Sequence, residues 1–436
     1  MRKNIFFLIG TMLLLSACSK DREPIPSDKP VESRHTVLVY MSAQNSLSYQ
    51  NCSSMDSAEI AQGTLQLSSS ADNMILYLDD SLKPRIYRFH KDRKGKAVVQ
   101  KIRQYDTDLN SSDPNTLRDV LAYVKDQFPS QSYGLVLWSH GMSWIPDIGS
   151  FNDEVKRPTA TEPKGFGVDV GPDGNCRTDK DANGLLGQQM EIDDLAWAVE
   201  SSGVHPVYIF FDACLMQTVE VAYALRNATD YIIGSPATTS GYGAYYIDQM
   251  RRGLFCYPFN EDSIRNIVDT YYYDSMENPS LTQLYAYQGC VMSVVKTSEL
   301  EHLAQATARA LAKCIKDKAY PDLTGVQYYT SFVNTSYPDH YDINSAFRAW
   351  LDDADYQVWK EALDHCLVYS RLSDKFYVYY KSGTIYTKSV DYATACGLAM
   401  FFPKETYEQF PYYGNLNTLF RDTQWYEAAQ WAQTGW

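Results

Sequence analysis

The stretch VYIFF at positions 207–211 runs directly into Asp212-Ala213-Cys214. Five consecutive apolar residues of β-branched and aromatic type predict a strand covered on both faces, since a half-exposed strand would alternate. Similar runs occur upstream: TVLVYMSA at 36–43, MILYL at 74–78 and LVLW at 135–138. Helical stretches separate them, over Met55 to Leu67, from Asp113-Pro114 to Phe128, and over Met190 to Ser202. Asp before Pro is a helix-start signal: the carboxylate caps free N–H groups, and Pro fits the first turn. Met216 to Arg226 is predicted as the helix after the fourth run, and Tyr231 to Gly234 as a further strand. Short buried strands alternating with amphipathic helices imply an α/β fold, a mostly parallel sheet with helices on both faces.

Outside this pattern, Ile86 to Phe89 and Ala97 to Ile102 flank a Lys/Gly-rich turn and predict a hairpin. Ile145 to Gln189 is a long polar stretch, of the kind that is functional or mobile when inserted in a compact domain. Residues 256–436 read as a helix-rich C-terminal region, with helices over Ile264 to Met276, Ser298 to Lys316 and Ile343 to Leu351. Two late runs there, Val291 to Val295 and Gly397 to Phe402, are expected to add strands to the sheet of the 35–255 core.

The N-terminus is read separately. Arg2 and Lys3 precede a short apolar run, Ile5 to Leu15, that ends in Leu15-Ser16-Ala17-Cys18. That run is too short for a stable bilayer span, and small residues before a Cys resemble a bacterial lipobox. Residues 1–17 are therefore expected to be a lipoprotein signal peptide and Cys18 the lipidated residue. Residues 18–34 carry Pro24, Pro26 and Pro30 and suit an extended tether. The expected location is the cell envelope, lipid-anchored to a membrane. Ser19-Lys20-Asp21 resembles surface-export signals, which points to the outer-membrane surface.

The chain of 436 residues, 45% hydrophobic and 21% charged, has a globular composition. Acidic residues outnumber basic ones 53 to 39, which speaks against a nucleic-acid partner. With Cys18 set aside, the other eight cysteines are widely and irregularly spaced, without a CxxC pair. Neither a disulfide scaffold nor a zinc site is indicated, and most are expected to be buried thiols.

In open parallel sheets, ligands bind beyond the carboxyl ends of the strands. LVLW runs out into Ser139-His140-Gly141, and VYIFF into Asp212-Ala213-Cys214. An imidazole and a thiol thus emerge at one sheet edge. A thiolate is a strong nucleophile, and a nearby imidazole can take its proton. A helix starting near Met216 would further favour the thiolate. Gly141 permits close backbone approach, and its N–H with that of Cys214 can serve as an oxyanion hole. The inert alternative, a core cysteine ending a buried strand, is the commoner outcome on the residues alone.

Thr36 to Leu47, Tyr133 to Trp144 and Phe210 to Tyr246 resemble the clostripain family of cysteine peptidases, most specifically in His140-Gly141 and in Asp212-Ala213-Cys214-Leu215-Met216 before a Glu-Val-Ala helix. The resemblance implies a caspase-like α/β/α sandwich, with His140 as acid/base and Cys214 as nucleophile. Implied substrates are proteins or peptides cut after a basic residue, through an acidic pocket that binds a guanidinium in two hydrogen bonds. Asp212 matches a family acid and, with Tyr242, is a candidate substrate-binding residue; Asp212 is also a candidate cap for the following helix. Relatives tend to carry acids after the next strand, whereas Ser235 to Gly243 holds no carboxylate, so the basic preference is expected to be weakened. Ser139 stands where relatives often have Asp. A degenerate relative that binds peptide, or a glycan-binding surface lipoprotein using its aromatic residues, remains the alternative.

Asp179, Asp181 and Asn183 begin like an EF-hand loop with Gly184 sixth, but the twelfth position is Met190 and no helix is expected before it, so a true EF-hand is rejected. A looser Ca²⁺ site with Asp169 and Asp173 is weighed against a solvated acidic loop, and no cofactor is expected to be required. The resemblance also implies activation by cleavage between His140 and Cys214, where Lys156, Arg157, Lys164, Arg177 and Lys180 lie.

Overall fold

A computed structural model gives the fold over residues 32–146, 164–171, 188–281, 289–317, 320–332, 337–381, 384–408 and 416–436. Cys18, Asp173, Asp179, Asp181, Asn183 and, among the basic residues named above, Lys156, Arg157, Arg177 and Lys180 lie outside those residues.

The centre is a nine-stranded sheet. Its strands in chain order are β1 (Ser33–Ser42), β2 (Asp72–Asp79), β3 (Arg85–Lys91), β4 (Ala97–Gln104) and β5 (Ser130–Trp138). A three-stranded sheet of β6 (Gly141–Pro146), β7 (Lys164–Asp169) and β8 (Gln188–Glu191) follows, and then β9 (Tyr208–Asp212), β10 (Tyr231–Gly234) and β11 (Val291–Lys296) return to the large sheet. Five neighbouring strands, β2, β1, β5, β9 and β10, are parallel. The β3–β4 hairpin extends one edge in antiparallel fashion, and β11 with the strand Leu367–Leu372 extends the other.

The apolar runs are continuous because both faces of the sheet are covered. Along β1, Val37, Val39 and Met41 face one core, which includes Ile60 of the helix Cys52–Gly63 and Ile264, Ile267 and Val268 of the helix Glu261–Tyr272. Leu38 and Tyr40 face the other, with Leu117, Val120, Leu121 and Val124 of Pro114–Gln127 and Leu195 and Val199 of Ile192–Ser201. In β9, Tyr208 and Phe210 take the first side and Ile209 and Phe211 the second. A two-residue period sends successive side chains to opposite faces, so the covered middle of each of these two strands is apolar at every position and polar residues fall at the strand ends.

Several expectations are corrected. Part of the Ile145–Gln189 stretch is not loop: β7 and β8 pair antiparallel beside β6. Gly397 to Phe402 does not join the large sheet. Its residues Ala399–Met400 pair instead with Tyr341–Asp342. The strand that does join is Leu367–Leu372, whose residues are all only half-buried, as suits an edge. The helix after Cys214 begins at Val219, not Met216, because Thr218 caps it by accepting from the Val221 N–H at 3.4 Å. Cys52, Cys214, Cys256, Cys290, Cys366 and Cys396 are free thiols, with Cys52, Cys290 and Cys366 buried.

Candidate active site

Three parallel strands deliver the site. Met41 of β1 is level with Trp138 of β5, and Trp138 with Asp212 of β9. The residues that follow, Asn45-Ser46, Ser139-His140 and Ala213-Cys214, therefore leave the same edge side by side. Asn45 and Ser139 hold their turns in place. Ser139 Oγ donates to the Ser42 carbonyl at 2.7 Å, and Asn45 Nδ2 donates to the Ser42 and Val168 carbonyls at 2.9 Å each. Ser139, in the position where an Asp was the comparison, is thus a buried backbone anchor.

His140 hydrogen-bonds through Nε2 to Ser46 Oγ at 2.9 Å. Burial lowers the imidazole from its ordinary 6.5 to about 4, so the ring is neutral at pH 7. On the neighbouring turn, Leu215 adopts a left-handed backbone with φ 65°, rare for a branched residue, and its N–H donates to the Ala237 carbonyl at 3.2 Å. The turn holds Cys214 against Thr239, whose N–H donates to Sγ at 3.3 Å and whose hydroxyl lies 3.4 Å from Sγ. Burial pushes the thiol up, and the Thr239 contacts only partly oppose that. With the helix starting five residues on, at Val219, Cys214 lacks the helix N-terminus expected to favour its thiolate. At rest the pair is thiol and neutral imidazole. Among the described residues no hydrogen bond joins them directly: the imidazole's is to Ser46, and the sulfur's are to Thr239.

The two turns nevertheless touch. A Cβ added to Gly141 would lie 2.6 Å from the Cys214 carbonyl oxygen and 2.7 Å from Met216 Sδ, so only hydrogen fits. Gly141 sits opposite Phe166, and the ladder bond beside them runs from the Gly167 N–H to the His140 carbonyl at 3.0 Å. In that antiparallel pattern Gly141 and Phe166 form the non-hydrogen-bonded pair, which leaves the Gly141 N–H out of the ladder.

Asp212 is buried at the end of β9. Both its oxygens lie 3.1 Å from the Ala244 N–H, and Oδ2 accepts from the Tyr246 hydroxyl at 2.9 Å. Burial raises its carboxyl to about 6 despite these donors. It does not cap the helix at Val219, contrary to one expected role, because Thr218 does. Tyr242 is half-buried on the same loop, between Thr239 and Gly243, with its N–H donating to Ser240 Oγ at 3.3 Å. Asp169, weighed as a calcium ligand, is buried. It spends one oxygen on the Ser111 N–H and hydroxyl, at 2.7 and 3.0 Å, and the other on the Gly171 N–H at 2.9 Å.

Sequence reasoning singled out His140 and Cys214, which the fold brings to one edge, but not Ser46 and Thr239. Ser46 was discoverable, since it lies four residues beyond a strand ending at the same edge. Thr239 was not, because its approach to Cys214 depends on the path of a loop.

Known proteins agree with this architecture. The sequence model of the clostripain family, the C11 peptidases, matches residues 39–436. A secreted C11 cysteine protease from Bacteroides thetaiotaomicron, solved with an irreversible peptide inhibitor, superposes with a TM-score of 0.71 at 27% identity, covering 92% of this chain and 99% of that one. An inactive zymogen C11 protease from Parabacteroides distasonis gives 0.69 at 25% identity, with 92% and 99% covered. No curated protein matches the chain. The fold is the caspase-like α/β/α sandwich of these structures, and the chain belongs to the clostripain family of cysteine peptidases.

Proposed function

We propose that Cys214 is the nucleophile and His140 the acid/base of an endopeptidase acting on exported or extracellular proteins. The carrying observation is the contact of the two turns at Gly141 and Cys214, at the ends of paired strands. As Sγ attacks the scissile carbonyl carbon, its proton passes to the neutral imidazole. The Gly141 and Cys214 N–H groups stabilise the oxyanion. The imidazolium then returns the proton to the leaving amine, the C–N bond breaks, and water hydrolyses the thioester. The reaction needs no cofactor, so activity is expected to be equal with calcium and with chelator. Cleavage of a mixed peptide library by wild type, and none by Cys214→Ala, tests the assignment; equal cleavage by both overturns it.

A strongly basic P1 residue is not favoured. Asp212 commits its oxygens to Ala244 and Tyr246, and an added Cβ at Gly243 would lie 2.8 Å from one of them, so backbone covers the carboxylate. The segment Ser235 to Gly243, which carries Thr239, holds no carboxylate. A fluorogenic P1 panel is expected to show comparable rates for neutral and basic residues; Arg far above all others would refute this. The N-terminal residues support lipid anchoring at Cys18, tested by a membrane fraction that loses the protein on Cys18→Ala. Among the described residues no helix is long and apolar enough to cross a membrane. Activation by self-cleavage between His140 and Cys214 is part of the same proposal, and an active preparation that stays one chain on a denaturing gel counts against it.

A further inference from the structure

Away from the strand ends, Glu299, His302 and His365 place one carboxylate oxygen and two ring nitrogens all within 4.8 Å of one another. Glu299 closes the 3₁₀ turn Thr297–Glu299, and His302 is in the first turn of the helix Leu300–Asp317. Residues three apart on a helical path share a face, so the two side chains rise together. His365 comes from the last turn of another helix, Asp353–Cys366. The two helices are fixed against each other beneath the cluster. Trp359 Nε1 donates to Thr307 Oγ1 at 3.1 Å inside the core, to which the buried Leu303, Leu363 and Cys366 also belong. Their backbones are thus held in place, while both imidazoles are exposed, with their ring centroids 6.3 Å apart.

We propose that Glu299, His302 and His365 form a surface site for a divalent transition-metal ion of the zinc class. Two imidazoles and a carboxylate suit Zn²⁺, Ni²⁺ or Cu²⁺, whereas Ca²⁺ and Mg²⁺ seek all-oxygen shells. Donors around a tetrahedral zinc, with bonds of about 2.1 Å, stand ~3.4 Å apart, so these three close by at most ~1.4 Å. Rotamer changes of the two exposed histidines cover that distance. Water completes the shell. The bound ion ties the start of one helix, which follows β11, to the end of the other, which leads into the edge strand Leu367–Leu372. It is a clasp on the sheet's antiparallel edge.

Calorimetric titration of the full chain with ZnCl₂ tests this, in a Cys214→Ala background so that the half-buried Cys214 thiol cannot take the ion. One equivalent is expected to bind. His302→Ala or His365→Ala should each weaken binding at least ~10-fold, and Glu299→Gln less; excess CaCl₂ should not compete. His302 and His365 are exposed and Glu299 is half-buried, so melting curves of the two histidine variants in chelator should match the parent and exclude misfolding. No binding, or binding unchanged in the His302→Ala/His365→Ala double variant, overturns the proposal, as does displacement of zinc by calcium.

Discussion

Gly141→Ala is the most informative single perturbation. The new methyl carbon would sit 2.6 Å from the Cys214 carbonyl oxygen and 2.7 and 2.8 Å from Met216 Sδ and Cγ. Met216 can swing its thioether aside, but a backbone oxygen cannot. Ordinary contact begins near 3.4 Å, so the His140 and Cys214 turns must part by ~0.8 Å. Misplacing reacting groups by about 1 Å costs up to ~10²-fold in rate, so kcat is expected to fall about 10–100-fold, or ~1.4–2.7 kcal/mol of barrier. KM should change little, because the groups moved are those that act in the transition state. Overpacking costs the fold about 1–3 kcal/mol, a small loss readable as a lowered melting temperature. The assay is turnover of a fluorogenic peptide, normalised to active sites by titration with an irreversible thiol-directed inhibitor. A Gly141→Ala enzyme that folds and keeps wild-type kcat would refute the idea that these turns touch in the working enzyme.

Three other outcomes follow from the same geometry. Because burial lowers His140 to about 4, the acid limb of kcat/KM should lie near pH 4; a limb near 6.5 would mean a solvated imidazole. Ser46→Ala removes the hydroxyl that holds Nε2 and should reduce kcat by up to ~10-fold without changing the melting temperature, whereas an unchanged kcat would make that contact incidental. Glu220 is buried on the helix after Cys214, with Oε1 accepting from the Phe401 N–H at 2.8 Å, and burial raises its carboxyl from 4.5 to about 7. The folded chain therefore keeps a proton that the unfolded chain releases, and this contribution to stability declines as pH rises from about 4.5 to about 7. Glu220→Gln keeps the acceptor and removes the charge, so unfolding free energies at pH 8 should favour the variant by up to ~3 kcal/mol, with no difference at pH 4. Equal stabilities at both pH values would show that the carboxyl is hydrated.

The parallel core was legible in sequence because each of its strands is buried on both faces, so VYIFF and TVLVYMSA announce themselves without knowledge of their neighbours. The strand Leu367–Leu372 was not, because a half-buried edge strand containing Ser370 and Arg371 lacks that signal. Nor was the true start of the helix after Cys214. Leu215, Met216 and Gln217 are good helix formers, and hydrogen bonds from the Leu215 and Gln217 N–H groups to Ala237 and Ser235, with the Ala399 N–H donating to the Gln217 carbonyl, hold them in a turn. Tertiary contacts overrode propensity there, and removed the helix-terminus argument for a thiolate. His140 and Cys214 could be placed at one edge because both follow buried parallel strands, but that those strands are neighbours, and what each side chain touches, Ser46 and Thr239, no local pattern encodes.

The central claim concerns one sulfur, and covalent labelling addresses it directly. The chain is reacted with an irreversible peptidyl thiol-directed inhibitor, and the modified residue is located by peptide mapping and mass spectrometry. One adduct on Cys214 is expected, absent from Cys214→Ala and formed far more slowly in His140→Ala. Labelling of any other cysteine in step with loss of activity, or a rate indifferent to His140, would contradict the account.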